Sequence, residues 1–184
     1  AGVSHLPFFK YTLNYEFFAD GSVKTELCGD IRENVIWLPR LGFELALPLT
    51  DGRFKYFGNG PLESYRDMTH HGIVAVHSSD ADSEYVNYVR PQEHGNHTDC
   101  KWLEVADKLR FEAEEKMEIC VLSHSTEQLT AAEHTDEIGE PDATHIRIDY
   151  KVSGIGSASC GPKLDKKYRL DEKHISFGFV MSLI

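Results

Sequence analysis

The stretch "FKYTLNYEFFADGSVKTEL", residues 9–27, decides the fold class. Its first half alternates apolar and polar side chains, with Phe9, Tyr11, Leu13, Tyr15 and Phe17 as the apolar positions. Because successive side chains of a strand point to opposite faces, this alternation predicts a half-buried strand. Asp20-Gly21 supplies the positive φ angles of a tight turn, and "SVKTEL" alternates again. Residues 9–27 are therefore predicted to form a β-hairpin.

The same alternation returns along the rest of the chain. It is clearest in "FEAEEKMEICVLS" (111–123), "THIRIDYKVS" (144–153) and "HISFGFVMSLI" (174–184). "GFELALPL" (42–49) and "RFKYFG" (53–58) indicate two further strands on either side of the turn at Asp51-Gly52. These segments predict an all-β fold, an antiparallel β-sandwich.

One segment departs from this pattern. "STEQLTAAEH", residues 125–134, has Ser125 and Gln128 at the spacing of a capping box and contains several good helix formers, which predicts one short helix. No linker rich in Pro, Gly or Ser interrupts the chain. Residues 1–184 are therefore expected to form a single domain.

Composition narrows the functional classes. The chain has 184 residues, 41% of them hydrophobic and 27% charged, as in globular proteins rather than disordered ones. A formal charge of −11 disfavours nucleic acid and anionic membranes as partners but is compatible with a neutral sugar. No apolar run is long enough to cross a bilayer, and no signal peptide is recognisable. Cys28, Cys100, Cys120 and Cys160 lack CxxC spacing, which favours free thiols in a cytoplasmic protein.

The spacing of side chains gives little support for a metal site or a catalytic site. The candidate metal ligands are His70, His71 and His77, or His94 and His97, but no acidic residue or cysteine completes a known pattern. Surface or hydrogen-bonding histidines are the preferred interpretation. The candidate glycosidase carboxyl pairs, Glu63 with Asp67 and Glu93 with Asp99, are not demanded by any motif. No catalytic residue and no metal site is therefore predicted.

Two irregular stretches remain to be explained. "YFGNGPLESYRD", residues 56–67, contains glycine and proline turn chemistry and predicts a rigid turn leaving a strand. The residues expected to build this structural motif are Asn59, Gly60, Pro61, Glu63, Tyr65 and Asp67. "VRPQEHGNHTDCKW", residues 89–102, follows neither the helical nor the strand period. It predicts an irregular, ordered loop that either carries chemistry or holds a β-protein together.

In order and spacing, these two stretches and "GIGSASCGP" (154–162) resemble the C-terminal domain of the large β-galactosidases of glycoside hydrolase family 2, the bacterial lactose-cleaving type. The resemblance runs from about residue 10 to the C-terminus. It implies a sandwich of the galactose-mutarotase type. It also implies that the catalytic glutamates and magnesium belong to a separate barrel, so that this chain holds no cofactor and is inactive alone. The chain is similar to the later portion of the family domain, which leaves open a sandwich that is incomplete at the N-terminus.

The resemblance also implies a role for the segment Arg90–Trp102 as an ordered loop that helps to wall the substrate cleft. We expect this loop mainly to hold the structure together and only secondarily to face the sugar. In that role Glu93, Asn96 and Asp99 would accept hydrogen bonds from backbone N–H groups, and Arg90 would donate to a carboxylate. The residues expected to shape the cleft are Arg90, Glu93, His94, Asn96, His97, Asp99, Trp102 and Phe111. The family's Gly-Gly-Asp-Asp-Ser-Trp turn is replaced here by residues 156–161, which removes two carboxylates and an aromatic ring.

The implied partners are the catalytic barrel and other domains of a parent β-galactosidase, with the galactoside contacted indirectly; a homo-oligomer is left open. Two other functional classes are compatible with the implied fold. An aldose mutarotase needs a histidine acid and a carboxylate base, for which His70, His77 or His94 with Glu63 or Glu93 are the only suppliers. A carbohydrate-binding module needs exposed aromatic rings, for which the candidates are Trp37, Tyr85 and Trp102.

Overall fold

A computed structural model describes residues 7–35, 37–48, 51–155 and 163–184. Within these ranges the chain forms nine strands and one α-helix. They are β1 (Phe9–Phe17), β2 (Val23–Ile31), β3 (Arg40–Leu47), β4 (Arg53–Gly60), β5 (Ile73–Asp80), β6 (Asn96–Val105), β7 (Leu109–Leu122), α1 (Thr126–Ala131), β8 (Thr144–Val152) and β9 (His174–Leu183). Single 3-10 turns lie at Thr135–Glu137 and Lys166–Tyr168. The prediction of an all-β fold with one short helix is confirmed.

Strand β7 organises the sheet. It pairs along one edge with β6, which continues to β4 and β5. Along its other edge it pairs first with β9 and then, farther along, with β8. Strand β9 continues to β2 and β1, and β8 continues to β3, all antiparallel. The sheet therefore divides into two arms at the middle of β7.

The two arms face each other and form the sandwich. Phe43 on β3 contacts Phe177 and Phe179 on β9, with ring centroids 6.3 and 5.4 Å apart. The largest buried cluster lies between these layers. Its strand residues include Phe54, Tyr56, Leu103, Phe111, Ile119, Ile146 and Ile148. Alternating apolar side chains from several strands thus share one core, as expected of a β-sandwich.

The N-terminal hairpin forms as predicted. Phe9 lies opposite Ile31 and Phe17 opposite Val23, with Gly21 in the turn at a φ of 86°. Leu13 packs against Leu27. Farther along the same face, Tyr11 and Phe17 are 57% and 76% exposed, so β1 presents an uncovered aromatic row at the edge of the sheet.

The short helix is confirmed but ends earlier than residue 134. Ser125 accepts a hydrogen bond from the backbone N–H of Gln128, and the Gln128 side chain accepts one from the Ser125 N–H, which completes the capping box. Ala132 already has extended backbone angles. The helix buries Leu129 against Cys120 and Leu122 on β7.

The prediction of an irregular loop over residues 89–102 is wrong in its second half. The loop ends at Gly95, and Asn96 begins β6, an interior strand between β4 and β7. Residues on both faces of β6 are buried, so no alternation appears in the sequence. Register shifts on either side of Cys100, together with a φ of 58° at Asp99, interrupt the pattern further.

Strand β5 was not predicted from the sequence either. It lies at the edge of the sheet and exposes Ile73, Val74 and Val76, so its apolar residues do not mark a buried face.

Cys28, Cys100 and Cys120 are free thiols, as expected. Cys160 and the turn at residues 156–161 lie outside the described ranges. In the part of the chain that the structure describes, no helix has the length and apolarity needed to cross a membrane.

Candidate functional site

The two irregular stretches of sequence meet in space. The backbone N–H of Ser64 donates to the Asn96 carbonyl at 2.6 Å, and the Asn96 side chain donates to the Ser64 carbonyl at 2.9 Å. The Thr98 N–H donates to the Ser64 hydroxyl at 3.0 Å. The turn that leaves β4 is thereby fastened to the start of β6. We call the buried polar groups at this junction, together with Arg40, Glu93, Glu118, Arg147 and Asp149 described below, the motif network.

Glu63 is the main acceptor at this junction. Its carboxylate accepts hydrogen bonds from the Gly95 N–H at 2.8 Å, from the Tyr65 hydroxyl at 3.2 Å and from the Tyr88 hydroxyl. Burial, and then the hydrogen bond to Glu63, raises the pKa of Tyr88 to about 12. Both tyrosines therefore stay protonated at neutral pH and act as donors.

Asn59 and Gly60 fix the end of β4. The Asn59 amide donates to the Thr98 hydroxyl and to the Thr69 carbonyl, both at 3.4 Å. A Cβ atom at Gly60 would lie 2.1 Å from the Tyr56 hydroxyl, so this position excludes any side chain. The peptide bond between Gly60 and Pro61 is cis.

Glu118 on β7 connects the motif network to β8. Its carboxylate accepts hydrogen bonds from the Asn96 side chain at 2.8 Å and from the Val152 N–H at 3.2 Å, and it lies 4.0 Å from the Arg66 guanidinium. Burial raises the pKa of Glu118 to about 7, although these partners oppose the rise. Burial thus brings the pKa of Glu118 close to neutral pH.

Arg40 joins the network to β3. Its guanidinium donates to Glu93 in the loop and to the buried Asp149 on β8. Arg147, which is also buried, donates to the same Glu93 oxygen at 3.1 Å. Burial raises the pKa of Asp149 to about 6, and Arg40 limits that rise. Two arginines thus compensate two carboxylates inside the domain.

Asp67, the last member of the predicted turn motif, contacts the end of β8. It accepts a hydrogen bond from the Ile155 N–H at 3.1 Å. A Cβ atom at Gly154 would lie 2.6 Å from the Asp67 carboxyl carbon, so only glycine permits this approach. The structural motif predicted from the sequence is therefore brought together, and its acidic members bind backbone groups.

The residues expected to shape a cleft divide by burial. His94, Asn96 and His97 are buried, and Phe111 is a fully buried member of the main core. Arg90 is exposed and has no carboxylate partner among the described residues. Asp99 pairs with Lys116 at 2.5 Å. Trp102 is half-buried, and the Arg110 guanidinium carbon lies 4.8 Å from the centroid of its ring. The expectation of sugar contact at these positions stays a prediction.

The expected hydrogen-bond roles need correction. Among the described residues, Asn96 acts through its donor amide, while its Oδ1 is buried without a partner. Glu93 and Asp99 bind cationic side chains rather than backbone N–H groups. The acceptor for a backbone N–H of the loop is Glu63, which lies in the other motif.

The histidines are distributed among structural contacts. The His97 Nε2 atom lies 3.0 Å from a Glu84 carboxylate oxygen, and its Nδ1 atom lies 2.9 Å from the Tyr56 hydroxyl and 3.3 Å from the Asn59 carbonyl. His71 and His77 each bond a backbone carbonyl, of Glu63 and Ile73 respectively. Within the described ranges, no three His, Cys, Asp or Glu side chains come together in a way that could hold a metal ion.

Sequence reasoning missed several members of the motif network. Arg40, Glu118, Arg147 and Asp149 lie on strands whose alternation predicts structure only. Glu118, Arg147 and Asp149 occupy the polar positions of alternating strands, which the pattern predicts to be exposed, whereas all three are buried in the structure. No local sequence signal marks them, because the burial of a second strand face depends on strand order.

The fold and the motif network define an all-β sandwich whose buried carboxylates hold the domain together. The family described as beta galactosidase small chain matches residues 2–181, and the chain belongs to this family. It is similar to a β-galactosidase of Actinobacillus pleuropneumoniae, with 34% identity over 167 residues, which cover 91% of this chain and 16% of that protein.

Two further relatives are similar over comparable lengths. A β-galactosidase of Staphylococcus xylosus is 34% identical over 151 residues, covering 80% of this chain and 15% of that protein. A β-galactosidase of Photobacterium profundum is 27% identical over 183 residues, covering 98% of this chain and 17% of that protein. The chain therefore spans only about a sixth of the length of the relatives it matches.

Proposed function

We propose that this chain is the non-catalytic C-terminal sandwich of a glycoside hydrolase family 2 β-galactosidase, and that it assembles with the catalytic barrel and other domains to complete the active-site cleft. The substrates of the whole enzyme would be terminal β-D-galactosides such as lactose. The observation that carries the proposal is the family match over residues 2–181, combined with coverage of only 16% of a full-length relative.

The state of the carboxylates supports a non-catalytic role. A glycosidase needs two carboxyl groups that face the sugar, roughly 5 to 9.5 Å apart. Here Glu63, Glu93, Glu118 and Asp149 are engaged with donors of the same domain. Removing a carboxylate from such contacts leaves buried donors unpaired, which costs about 1–3 kcal/mol each. These groups are suited to holding the loop in shape.

Several surfaces of the domain are suited to docking. The aromatic row of β1 and the exposed residues Ile73, Val74 and Val76 of β5 leave apolar groups uncovered at both edges of the sheet. Exposed strand edges of this kind pair readily with further chain. We propose that other domains of the parent enzyme cover them. The free thiols of Cys28, Cys100 and Cys120, the cysteines that the structure describes, support a reducing compartment and hence a cytoplasmic location.

Reconstitution tests the proposal. The chain is mixed with the remainder of its parent enzyme, and hydrolysis of lactose or a chromogenic galactoside is followed. We expect the remainder to be weakly active alone and activated in proportion to added chain until saturation. Equal hydrolysis by the remainder with and without the chain would remove the assisting role. Hydrolysis by the chain alone, lost in a Glu63→Gln or Glu93→Gln variant, would remove the non-catalytic role.

The alternative of an aldose mutarotase is less well supported by the geometry. Among its candidate acids, His94 is buried, and His77 bonds a backbone carbonyl of its own strand. Its candidate bases, Glu63 and Glu93, are engaged with tyrosines and arginines. Polarimetry on fresh α-galactose distinguishes the two proposals, because a mutarotase would accelerate the change in rotation above the buffer rate.

A further inference from the structure

A small pocket opens where β3 begins and β8 ends. It has a volume of 190 Å³ and is lined by Trp37, Pro39, Arg40, Tyr65, Glu93 and the chain from Val152 to Ile155. Most of its lining is apolar, with the Arg40 and Glu93 side chains providing the charged groups. We call it the Trp37 pocket.

Hydrogen bonds between Ser153 and neighbouring backbone groups hold one wall of the Trp37 pocket in place. The Ser153 N–H donates to the Pro39 carbonyl at 2.8 Å, and the Ser153 hydroxyl donates to the Leu38 carbonyl at 2.7 Å. The same hydroxyl accepts from the Leu170 N–H at 2.9 Å. These bonds fix the backbone at Leu38, Pro39 and Ser153, so this wall of the pocket is formed before any ligand arrives.

The charges in the pocket compensate each other. Arg40 donates to both Glu93 and Asp149, so its positive charge is already satisfied. Glu93 in turn accepts from Arg40 and Arg147. With its cation neutralised, and in a chain of net charge −11, the pocket is not suited to an anion. A neutral ligand fits its electrostatics.

Glu93 has one carboxylate oxygen without a hydrogen bond to another described residue. The hydrogen bonds that it makes with described residues all end on Oε1, and 31% of its side chain is exposed. Its Oε2 can therefore accept a hydrogen bond from a hydroxyl group inside the pocket. The half-buried Trp37 indole supplies an apolar surface in the same cavity.

An aromatic ring beside a hydrogen-bond acceptor is the arrangement that recognises a sugar ring. The C–H face of a pyranose packs on the aromatic surface, while a few placed polar groups bind its hydroxyls. The volume of 190 Å³ lies below the roughly 300–1,000 Å³ of pockets that hold drug-sized ligands. The pocket therefore suits a single ring rather than an oligosaccharide.

We propose that the Trp37 pocket binds one hexopyranose ring of a neutral galactoside, with the ring stacked on Trp37 and a hydroxyl donating to Glu93 Oε2. This inference rests on the proposed function, because it makes the pocket the part of the domain that meets the sugar. Trp37 and Glu93 are binding residues in this arrangement. Arg40 is a positioning residue that holds the Glu93 carboxylate.

Intrinsic tryptophan fluorescence tests the pocket directly, since Trp37 and Trp102 are the two tryptophans of the chain. In a Trp102→Phe variant the emission reports on Trp37 alone, and we expect a saturable change on titration with lactose or galactose. In the Trp37→Phe control, where only Trp102 emits, we expect no change. Mannitol, an open-chain polyol without a pyranose ring, should leave both variants unchanged. Absence of a saturable change in the Trp102→Phe variant would overturn the proposal.

Two substitutions assign the roles of the pocket residues. Adding Glu93→Gln to the Trp102→Phe chain should weaken galactose binding about tenfold, which corresponds to about 1.4 kcal/mol. Trp37→Ala in the reconstituted enzyme should raise KM for lactose by a similar factor with little effect on kcat. Urea unfolding of each variant verifies that the domain remains folded. Unchanged binding in the Glu93→Gln chain, or unchanged KM in the Trp37→Ala enzyme, would refute the assigned contacts.

The outcomes separate this inference from the proposed function. If the chain activates the remainder of the enzyme but Trp37→Ala leaves KM and sugar binding unchanged, the pocket is not a sugar site and the assembly role stands. If the chain binds galactose through Trp37 but the remainder is fully active without it, the assembly role fails and the pocket stands.

Discussion

Glu63 and Gly95 are joined by a hydrogen bond of 2.8 Å, in which the Gly95 backbone N–H donates to the Glu63 carboxylate across 32 residues of chain. This contact closes the junction between the turn after β4 and the loop before β6. Since Tyr65 and Tyr88 donate to the same carboxylate, one side chain serves three donors. Removal of this side chain would leave three donors without their acceptor at once.

We expect Glu63→Ala to lower the free energy of unfolding by about 2–4 kcal/mol, because several partly buried donors lose their acceptor together. Urea unfolding followed by circular dichroism measures the change. Glu140→Ala is the matched control, since Glu140 is exposed and should shift stability by no more than about 0.5 kcal/mol. Similar losses in both variants would contradict the role of Glu63.

The raised pKa of Glu118 predicts a specific pH dependence. The folded protein holds this proton up to about pH 7, whereas the unfolded chain releases it near 4.5. The contribution of Glu118 to stability is therefore fully present below about pH 4.5 and is lost as pH rises to about 7. The loss is on the order of 3 kcal/mol, since each pKa unit corresponds to about 1.4 kcal/mol.

Comparison with Glu118→Gln isolates this effect, because glutamine cannot titrate. We expect the free energy of unfolding of the original chain, measured relative to the variant at each pH, to decline between pH 4.5 and 7. Other titrating groups, including Asp149, are common to both chains and largely cancel in the difference. A constant difference across this range would show that Glu118 does not titrate as inferred.

Gly58 predicts a coupling between β4 and β6. A Cβ atom at Gly58 would lie 2.3 Å from the Cys100 sulfur, so Gly58→Ala should destabilise the domain by about 1–3 kcal/mol through overpacking. In a Cys100→Ala background the closest obstacle is gone, and the cost of Gly58→Ala should be smaller. A double-mutant cycle measured by urea unfolding gives the coupling energy. Additive costs would contradict the contact.

The ion pairs of Arg40 and Lys116 should differ strongly in their energetic importance. Arg40→Leu leaves the buried Asp149 carboxylate without its cation and is expected to cost about 3–5 kcal/mol. Lys116→Gln breaks the exposed pair with Asp99 and should cost about 0–1 kcal/mol. Thermal or urea unfolding provides the comparison.

The loss of unfolding free energy caused by Arg40→Leu should also depend on pH. Arg40 opposes the rise in the pKa of Asp149, which is about 6 in the intact domain, so its removal raises that pKa further. At pH 5 the carboxyl group is largely protonated with or without Arg40, so the loss of the cation costs little, whereas at pH 8 the intact domain holds a carboxylate that Arg40 stabilises and the penalty is larger. Equal penalties at the two pH values would contradict the compensation of Asp149 by Arg40.

The strands that the sequence revealed are those in which apolar and polar side chains alternate. In β9 the alternate apolar residues mark the face that meets the core, whereas much of the aromatic face of β1 stays exposed and both faces of β8 are buried. Strand β6 buries residues on both faces and contains the left-handed Asp99, so its sequence resembles a loop. Periodicity reports a chemical difference between the two faces of a strand, and it is lost where both faces carry a mixture of apolar and polar residues, as in β6.

The candidate site was predictable in its location but not in its pairings. Turn chemistry and the family resemblance directed attention to both motifs, from Asn59 to Asp67 and from Arg90 to Trp102. Which side chains pair was not predictable, because Arg40 meets Asp149 across 109 residues and Glu63 meets Gly95 across 32. Such contacts depend on strand order, which single-sequence periodicity does not encode.

The pairing of β2 with β9 affects the order in which the chain can mature during its synthesis. Thr25 lies beside Phe179, and Leu27 beside Phe177, so β2 is completed by a strand about 150 residues farther along the chain. Contacts this distant in sequence form slowly, because the intervening chain must first be ordered. On a translating ribosome, the free edge of β2 therefore stays unpaired until residues 174–183 have emerged. Exposed strand edges pair readily with other chains, so the hairpin is most open to aggregation during this interval.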